Sequence, residues 1–279
     1  MAMVLSSTRC RHIGPLLLSA AIVASSRRGR FRLLPPTTAM STSSSSSSSS
    51  VATNNNNCGG GSRSALIFLH GLGDSPAGWS SLEDDLPSIR ERLGDVHYVF
   101  PPAPTIGLTI NGGLKMPGWF DLYDWPIGIS ARDDKDGMLA AVEQIETTVE
   151  TLEREMGIPP SRVVIGGFSQ GGAVALVTAY HRRRGKVPFA GCVCLSGWLT
   201  LKDDLTTVTE DVANATPLFW GHGKWDDKVL FEQQAHGVGR LRELGMDVTD
   251  ESYPMGHSSH PKELGAVAEF LERVLFTSR

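Results

Sequence analysis

Residues 1–73 contain no aspartate, no glutamate and no lysine; the first acid is Asp74. The stretch holds seven arginines, a serine run from Ser43 to Ser50 and four asparagines, Asn54–Asn57. Such a composition cannot bury enough apolar surface to offset chain entropy. Residues 1–63 are therefore expected to be disordered or to serve as a targeting segment, leaving 64–279 as one sizeable domain.

Long apolar runs are also missing. The best, Ile13–Ala24, is too short to span a bilayer comfortably, though it suits a secretory core or a weak anchor. The Arg- and Ser-rich, acid-poor surroundings suit an organellar transit peptide equally well. Met40 as the true start would remove the question, and the three readings stay open. Cysteine is scarce, with four residues. Cys10 and Cys58 fall in the N-terminal stretch. Cys192 and Cys194 alternate along one apolar strand, a spacing that would strain a disulfide, so both read as small buried hydrophobes. That usage fits a reducing compartment. No metal-ligand spacing occurs, and no metal or cofactor is expected. Positive charge is scarce in the body too. Setting the seven arginines aside leaves 19 of the 26 basic residues against 30 acids, a net charge of about −11. That argues against nucleic acid as a partner. The strong basic cluster, Arg182-Arg183-Arg184, falls at a helix end, where the helix dipole accounts for it.

What is present is alternation. Strands are expected at Ala65–Leu69, Val96–Phe100, Arg162–Ile165, Phe189–Leu195, Pro217–Trp220 and Asp247–Tyr253. Helices are expected at Ala77–Leu93, Asp134–Met156, Ala173–Tyr180, Val229–Leu244 and Pro261–Leu275. A loop-rich stretch runs from Ala103 to Ser130. The pattern predicts an α/β fold with a mostly parallel central sheet and helices on both faces.

The chemistry sits at strand ends. Gly167-Phe168-Ser169-Gln170-Gly171 has the pattern Gly-x-Ser-x-Gly between an apolar strand and a helix, the context of a nucleophile elbow. A plain glycine-rich turn with a capping serine is the competing explanation. A serine nucleophile needs a base, and the base an orienting acid. Asp226 follows the strand Pro217–Trp220 in Gly221-His222-Gly223-Lys224-Trp225-Asp226-Asp227. His257 follows the last strand in Gly256-His257-Ser258-Ser259-His260. Three strand ends thus deliver Ser, Asp and His in the order of an α/β-hydrolase. Oxyanion donors are expected from the backbone N–H groups of Gln170 and of Leu72, within His70-Gly71-Leu72-Gly73-Asp74. Asp74 or Ser75 also suits a helix cap, with Pro76 in the first turn.

These stretches, together with Met116-Pro117-Gly118-Trp119-Phe120-Asp121 and Leu195-Ser196-Gly197-Trp198-Leu199, resemble the acyl-protein thioesterase family, a phospholipase/carboxylesterase group of α/β-hydrolases. The resemblance runs from about Ser64 to Leu275. It implies hydrolysis of palmitoyl thioesters on protein cysteines, with carboxylesterase or lysophospholipase side activity. It makes Ser169 the nucleophile, Asp226 the orienting acid and His257 the base, with S-acylated proteins or lipid esters as substrates. The acyl pocket is expected in the 103–130 stretch, with Trp119, Phe120, Leu122, Tyr123 and Trp125 on the substrate wall. Two departures stand out. Asp227 and Lys228 follow the acid where the family tends to have Pro and an apolar residue, and Leu122-Tyr123-Asp124-Trp125 is bulkier and more polar than usual. The remaining expectations are a monomer or weak homodimer, transient contact with a membrane surface, and a cytoplasmic location, with plastid or mitochondrion as the alternative. A small-ester carboxylesterase without protein substrates and a non-catalytic lipid- or protein-binding module are the rival functions.

Overall fold

The structure is a computed structural model that describes residues 63–181, 186–202 and 215–277. Arg182-Arg183-Arg184, Cys10 and Cys58 lie outside these residues. Eight strands form among the described residues: β1 (Ser64–Leu69), β2 (Val96–Val99), β3 (Thr105–Leu108), β4 (Leu114–Pro117), β5 (Val163–Phe168), β6 (Gly191–Leu195), β7 (Leu218–Gly223) and β8 (Val248–Tyr253). Six make one sheet, in the order β2-β1-β5-β6-β7-β8, with every neighbouring pair parallel. A parallel sheet is stable only with both faces covered, so its strands are apolar on both sides. In β1, Ala65, Ile67 and Leu69 face one core, and Leu66 and Phe68 face the other.

The helices divide between these faces. α2 (Lys135–Met156), α3 (Gln170–Tyr180) and α4 (Glu232–Glu243) cover the first; α1 (Leu82–Ile89) and α5 (Pro261–Phe276) cover the second. In α2 the side chain of Asp134 accepts from the Gly137 N–H at the start, and Gly157 ends the helix in the left-handed region at φ 67°. Its buried positions, Met138, Ala141, Val142, Ile145, Val149 and Leu152, repeat every three or four residues. All eleven residues of α3 are buried, so the helix behind Ser169 is a core element rather than a surface one. Cys192 and Cys194 are free, fully buried and on the α3 side of β6.

Three expectations need correction. The segment 77–93 is not one helix. Pro76–Gly78 and Glu91–Asp95 are 3-10 turns, and α1 between them has eight residues. Pro87 lacks the N–H that would bond to the Glu83 carbonyl, and the helix runs only to Ile89 before Arg90 turns extended. Ser75 precedes the first turn without a side-chain cap. The 103–130 stretch contains an antiparallel hairpin of β3 and β4, in register Thr105↔Pro117 to Leu108↔Leu114. Gly112 and Gly113 turn it at φ 64° and 83°. Finally, α4 starts at Glu232, because Val229 is bonded into the turn that carries Asp226 and pairs with Ile127. No helix among the described residues is long and apolar enough to cross a membrane.

Candidate active site

Ser169 stands between β5 and α3 at φ 55°, ψ −120°, a backbone state that L-residues avoid and that persists only when its surroundings enforce it. The enforcement is visible. Its N–H donates to Leu195 O at 2.8 Å, and its carbonyl accepts from the Ala173 N–H at 3.1 Å. A Cβ on Gly171 would lie 2.3 Å from Leu69 O, and one on Gly167 would lie 2.4 Å from Gly171 C. Only glycine permits strand and helix to close this tightly. The Ser169 hydroxyl does not cap α3; it faces His257 instead.

The loops that follow β7 and β8 cross in contact. A Cβ on Gly223 would meet Gly256 O at 2.3 Å, and the N–H of Trp225 donates to Met255 O at 3.0 Å. This crossing brings Asp226 and His257 together. His257 Nδ1 is 2.7 Å from Asp226 Oδ2, and Nε2 is 2.8 Å from Ser169 Oγ. An ionised carboxylate only accepts, so Nδ1 carries the hydrogen and Nε2 is left to accept the serine proton. The other carboxylate oxygen, Oδ1, accepts from the N–H groups of Lys228 and Val229, both at 2.9 Å. Burial alone would push the Asp226 carboxyl up. Hydrogen bonds from His222 and His257, the charge of His257 and the Lys228 N–H outweigh it and hold the group well below the ordinary carboxylate range. Asp226 therefore stays an anion throughout the neutral range. The His257 ring packs against Phe168, with centroids 4.8 Å apart, and Phe168 against Trp79 at 5.1 Å.

The neighbouring acid and imidazole are elsewhere. Asp227 is exposed and pairs with Lys228 at 3.1 Å. His260 is the N-cap of α5, where its side chain accepts from the Lys262 N–H.

The His70–Gly73 loop lies beside the serine. A Cβ on Gly71 would be 3.4 Å from Ser169 Cβ, and one on Gly118 would be 2.9 Å from Leu72 Cδ1. His70 stiffens the loop: Nδ1–H donates to Gly71 O at 2.8 Å, and Nε2 accepts from the Ala103 N–H at 3.1 Å. The Gln170 side chain reaches the Trp119–Phe120 segment. Its Oε1 accepts from Trp119 N–H at 2.9 Å and its Nε2 donates to Phe120 O at 2.6 Å. Trp119 Nε1 donates to His70 O at 2.8 Å, closing the link.

Of the expected wall residues, Trp119 and Phe120 line a cavity of about 260 Å³, whose other lining includes Ile106 and Gly107 of β3, Ala141 and Gln144 of α2, and the carboxylates Asp121 and Asp134. Leu122, Tyr123 and Trp125 do not line it. Leu122 is buried in the core; Tyr123 and Trp125 are partly exposed, with the Arg132 guanidinium 5.1 Å over the Tyr123 ring. No member of the Ser169–His257–Asp226 set lines that cavity either.

Four contributors were not singled out in the sequence: His70, the Gln170 side chain, His222 and the Trp79–Phe168 stack. The two histidines share a signal, a His-Gly pair at a strand's C-terminal end. The other two carry none, because their contacts join distant segments.

The phospholipase/carboxylesterase family model matches residues 57–275. An acyl-protein thioesterase 1 of Mycosarcoma maydis is 37% identical over 225 residues, spanning 76% of this chain and 91% of the relative. That of Saccharomyces cerevisiae is 36% identical over 226 residues, spanning 77% and 94%. Among solved structures, SOBER1 of Arabidopsis thaliana superposes with a TM-score of 0.70 at 30% identity, covering 76% of this chain and 99% of that one. Zea mays acyl-protein thioesterase 2 follows with a TM-score of 0.66 at 32% identity, covering 76% and 94%. With the family model spanning the sheet, the elbow and both loops that bring Asp226 and His257 to Ser169, this chain belongs to the phospholipase/carboxylesterase family of hydrolases and has the α/β-hydrolase fold.

Proposed function

We propose that the chain is a serine hydrolase that removes fatty acyl groups from cysteine thioesters of proteins, with carboxylesterase or lysophospholipase side activity. One observation carries the reading: the unbroken chain Asp226–His257–Ser169, at 2.7 and 2.8 Å, ending on a serine held at φ 55°. In this reading His257 Nε2 takes the Ser169 proton as Oγ attacks the acyl carbonyl. Asp226 stabilises the imidazolium that forms. The N–H groups of Leu72 and Gln170 hold the oxyanion. His257 then protonates the departing thiolate or alkoxide, and a water activated by the same imidazole releases the fatty acid. No cofactor takes part.

The acyl group is assigned to the cavity that Trp119 and Phe120 line beside β3. At about 260 Å³ it falls just below the usual range for ligand sites, about 300–1,000 Å³. An optimum chain length at or below palmitoyl fits that size. The protein substrate class rests on the names of relatives such as the acyl-protein thioesterases 1 at 34–37% identity. The small cavity is what favours the second reading, a carboxylesterase of shorter esters. A cytoplasmic enzyme, monomeric or weakly dimeric and touching membranes transiently, suits substrates anchored in a lipid surface, with plastid or mitochondrion as the alternative location.

Two measurements test this. Ser169→Ala should abolish turnover and labelling by a fluorophosphonate without altering the far-UV circular dichroism; retained labelling would overturn the serine assignment. A scan of acyl chain length on matched thioesters and oxyesters should favour thioesters of C8–C16 acyl groups. Exclusive activity on acetyl and butyryl esters would replace the thioesterase reading with the carboxylesterase one.

A further inference from the structure

Asp226 is not held by His257 alone. A second imidazole, that of His222, is fully buried near the end of β7. Its Nε2 is 2.9 Å from the Val229 carbonyl oxygen and 3.4 Å from Asp226 Oδ2. A carbonyl oxygen only accepts, so Nε2 carries the hydrogen. Its hydrogen bond goes to Val229 O at 2.9 Å, and the carboxylate oxygen that also takes the His257 Nδ1–H lies 3.4 Å from the same nitrogen, a longer secondary contact that lowers the pKa of the Asp226 carboxyl. Val229 in turn donates its N–H to Asp226 Oδ1 at 2.9 Å. The ring His222–Val229–Asp226 is closed, and both carboxylate oxygens belong to it.

The other face of this imidazole does nothing comparable. Nδ1 has no hydrogen-bond partner among the described residues, and the Phe231 ring approaches edge-on at 6.0 Å between centroids. A bare nitrogen in a dry site costs stability that a leucine or phenylalanine would not incur. The interaction that distinguishes imidazole from an apolar filler here is therefore the Nε2–H.

We propose that His222 is a positioning residue for the hydrolytic reaction: its N–H fixes the rotation of the Asp226 carboxylate, so that Oδ2 faces His257 Nδ1. The need follows from the donors. Oδ1 is pinned by two backbone N–H groups, whereas Oδ2 would otherwise meet only the imidazole it must orient. The turn is tied on its far side to the substrate-wall stretch, through Ile127 N–H to Lys228 O at 2.8 Å and Leu230 N–H to Ile127 O at 3.0 Å. His222 thus completes a frame around the acid from the sheet side. The inference rests on the reading of Ser169, His257 and Asp226 given under the proposed function.

The test is steady-state hydrolysis of a short-chain p-nitrophenyl ester by full-length His222→Gln, His222→Asn and His222→Leu, each with and without Asp226→Asn, with Ser169→Ala as the blank. A glutamine amide reaches as far as imidazole Nε2, so His222→Gln should keep kcat within about threefold. Asparagine is too short and leucine has no donor. Each should lose about 10–100-fold in kcat at unchanged KM, the worth of one hydrogen bond to a charged group. In the Asp226→Asn background, His222→Leu should cost no more than about twofold, because the carboxylate it orients is gone. A kcat for His222→Leu equal to that of His222→Gln, or full additivity with Asp226→Asn, would overturn the proposal. Should the leucine variant fail to fold, the two amide variants decide it, since equal kcat for glutamine and asparagine is also an overturning result. Activity retained by Ser169→Ala would instead defeat the triad reading, a separate outcome.

Discussion

Glu263 should make this protein lose stability as pH rises through the neutral range, and Glu263→Gln should abolish that loss. The side chain is in the first turn of α5 and is fully buried. Its carboxyl lies against β7, where a Cβ on Gly221 would sit 2.3 Å from Glu263 Oε1. Neither oxygen has a hydrogen-bond partner among the described residues. Burial pushes the carboxyl up and the charge of Glu251 adds to this; the nearby His260 N–H opposes them without reaching hydrogen-bond geometry. The result is a shift from 4.5 to about 8.

The sign follows from proton counting. Between pH 4.5 and 8 the folded state keeps a proton that the unfolded state has lost, so each unit of rising pH favours unfolding by about 1.4 kcal/mol. Stability from this group is fully present below about pH 4.5 and is lost progressively up to about pH 8; above that the curve is flat. Across the window the loss is a few kcal/mol, a large part of the 5–15 kcal/mol that a domain usually has. For a chain of this size about 1 kcal/mol moves the melting temperature by roughly 2–4 °C. Glutamine cannot ionise, although its amide is left unpaired in the same site and costs something at every pH. The two melting curves should therefore cross. At pH 5 wild type should melt higher than the variant, and at pH 8.5 the variant should melt several degrees above wild type. Thermal unfolding followed by circular dichroism at unit steps from pH 5 to pH 9 reads this directly. A difference between the two proteins that does not change with pH would refute the reasoning, since every other titrating group is common to both.

The remaining expectations concern the site and the tail. Gly171→Ala should destabilise the fold by about 3 kcal/mol or more and lower kcat, because its Cβ would meet backbone oxygen of β1 at 2.3 Å rather than a side chain that can yield; a melting temperature within 2 °C of wild type would show that α3 can shift. Alanine at Asp226 and His257 should cost about 10³-fold or more in kcat, while alanine at Asp227 and His260 should cost less than about threefold; the opposite pairing, read by single-turnover kinetics, would reverse the assignment. Deleting residues 1–60 should leave melting temperature and kcat nearly unchanged, since that composition lacks the apolar surface to pack. Hydrolysis of S-acylated peptides with lysine-rich flanks should exceed that of neutral ones at low ionic strength, with the advantage fading by about 0.5 M salt, because the body carries a net charge of about −11.

The contact set Ser169–His257–Asp226 was legible in the sequence because each member announces itself locally. Ser169, Asp226 and His257 each follow a short apolar strand and sit among glycines, and a parallel sheet places all such loops at one end. The surroundings of the expected wall residues were less legible. Trp119 and Phe120 are held by Gln170, about fifty positions away in the chain, and no local pattern encodes a partner at that separation. Leu122 shows the same difficulty from the other side, since an aliphatic residue beside Trp-Phe-Asp reads equally well as pocket or core, and packing made it core.

The segment 77–93 separates two kinds of information that sequence reading tends to merge. Leu82, Leu86 and Leu93 fall on one stripe at helical spacing, and all three are buried in the same core beneath α1 and α5. The apolar period thus coincides with the buried face. The backbone is nonetheless broken into a 3-10 turn, an eight-residue helix and a second 3-10 turn, around Gly78 and Pro87. Burial is decided by where apolar side chains can be covered, and several backbone paths meet that demand. Continuity is decided residue by residue by available N–H groups and allowed dihedrals, so one proline can end a helix without moving a leucine out of the core. Glu263 is the converse case. Its backbone place, three residues after the His260 cap, is where a capping acid belongs. Its burial against Gly221 is set instead by the closeness of α5 to β7, which no helix signal contains. Local rules fixed the conformation in one case and tertiary packing fixed the environment in the other, and the pH dependence of stability follows from the second.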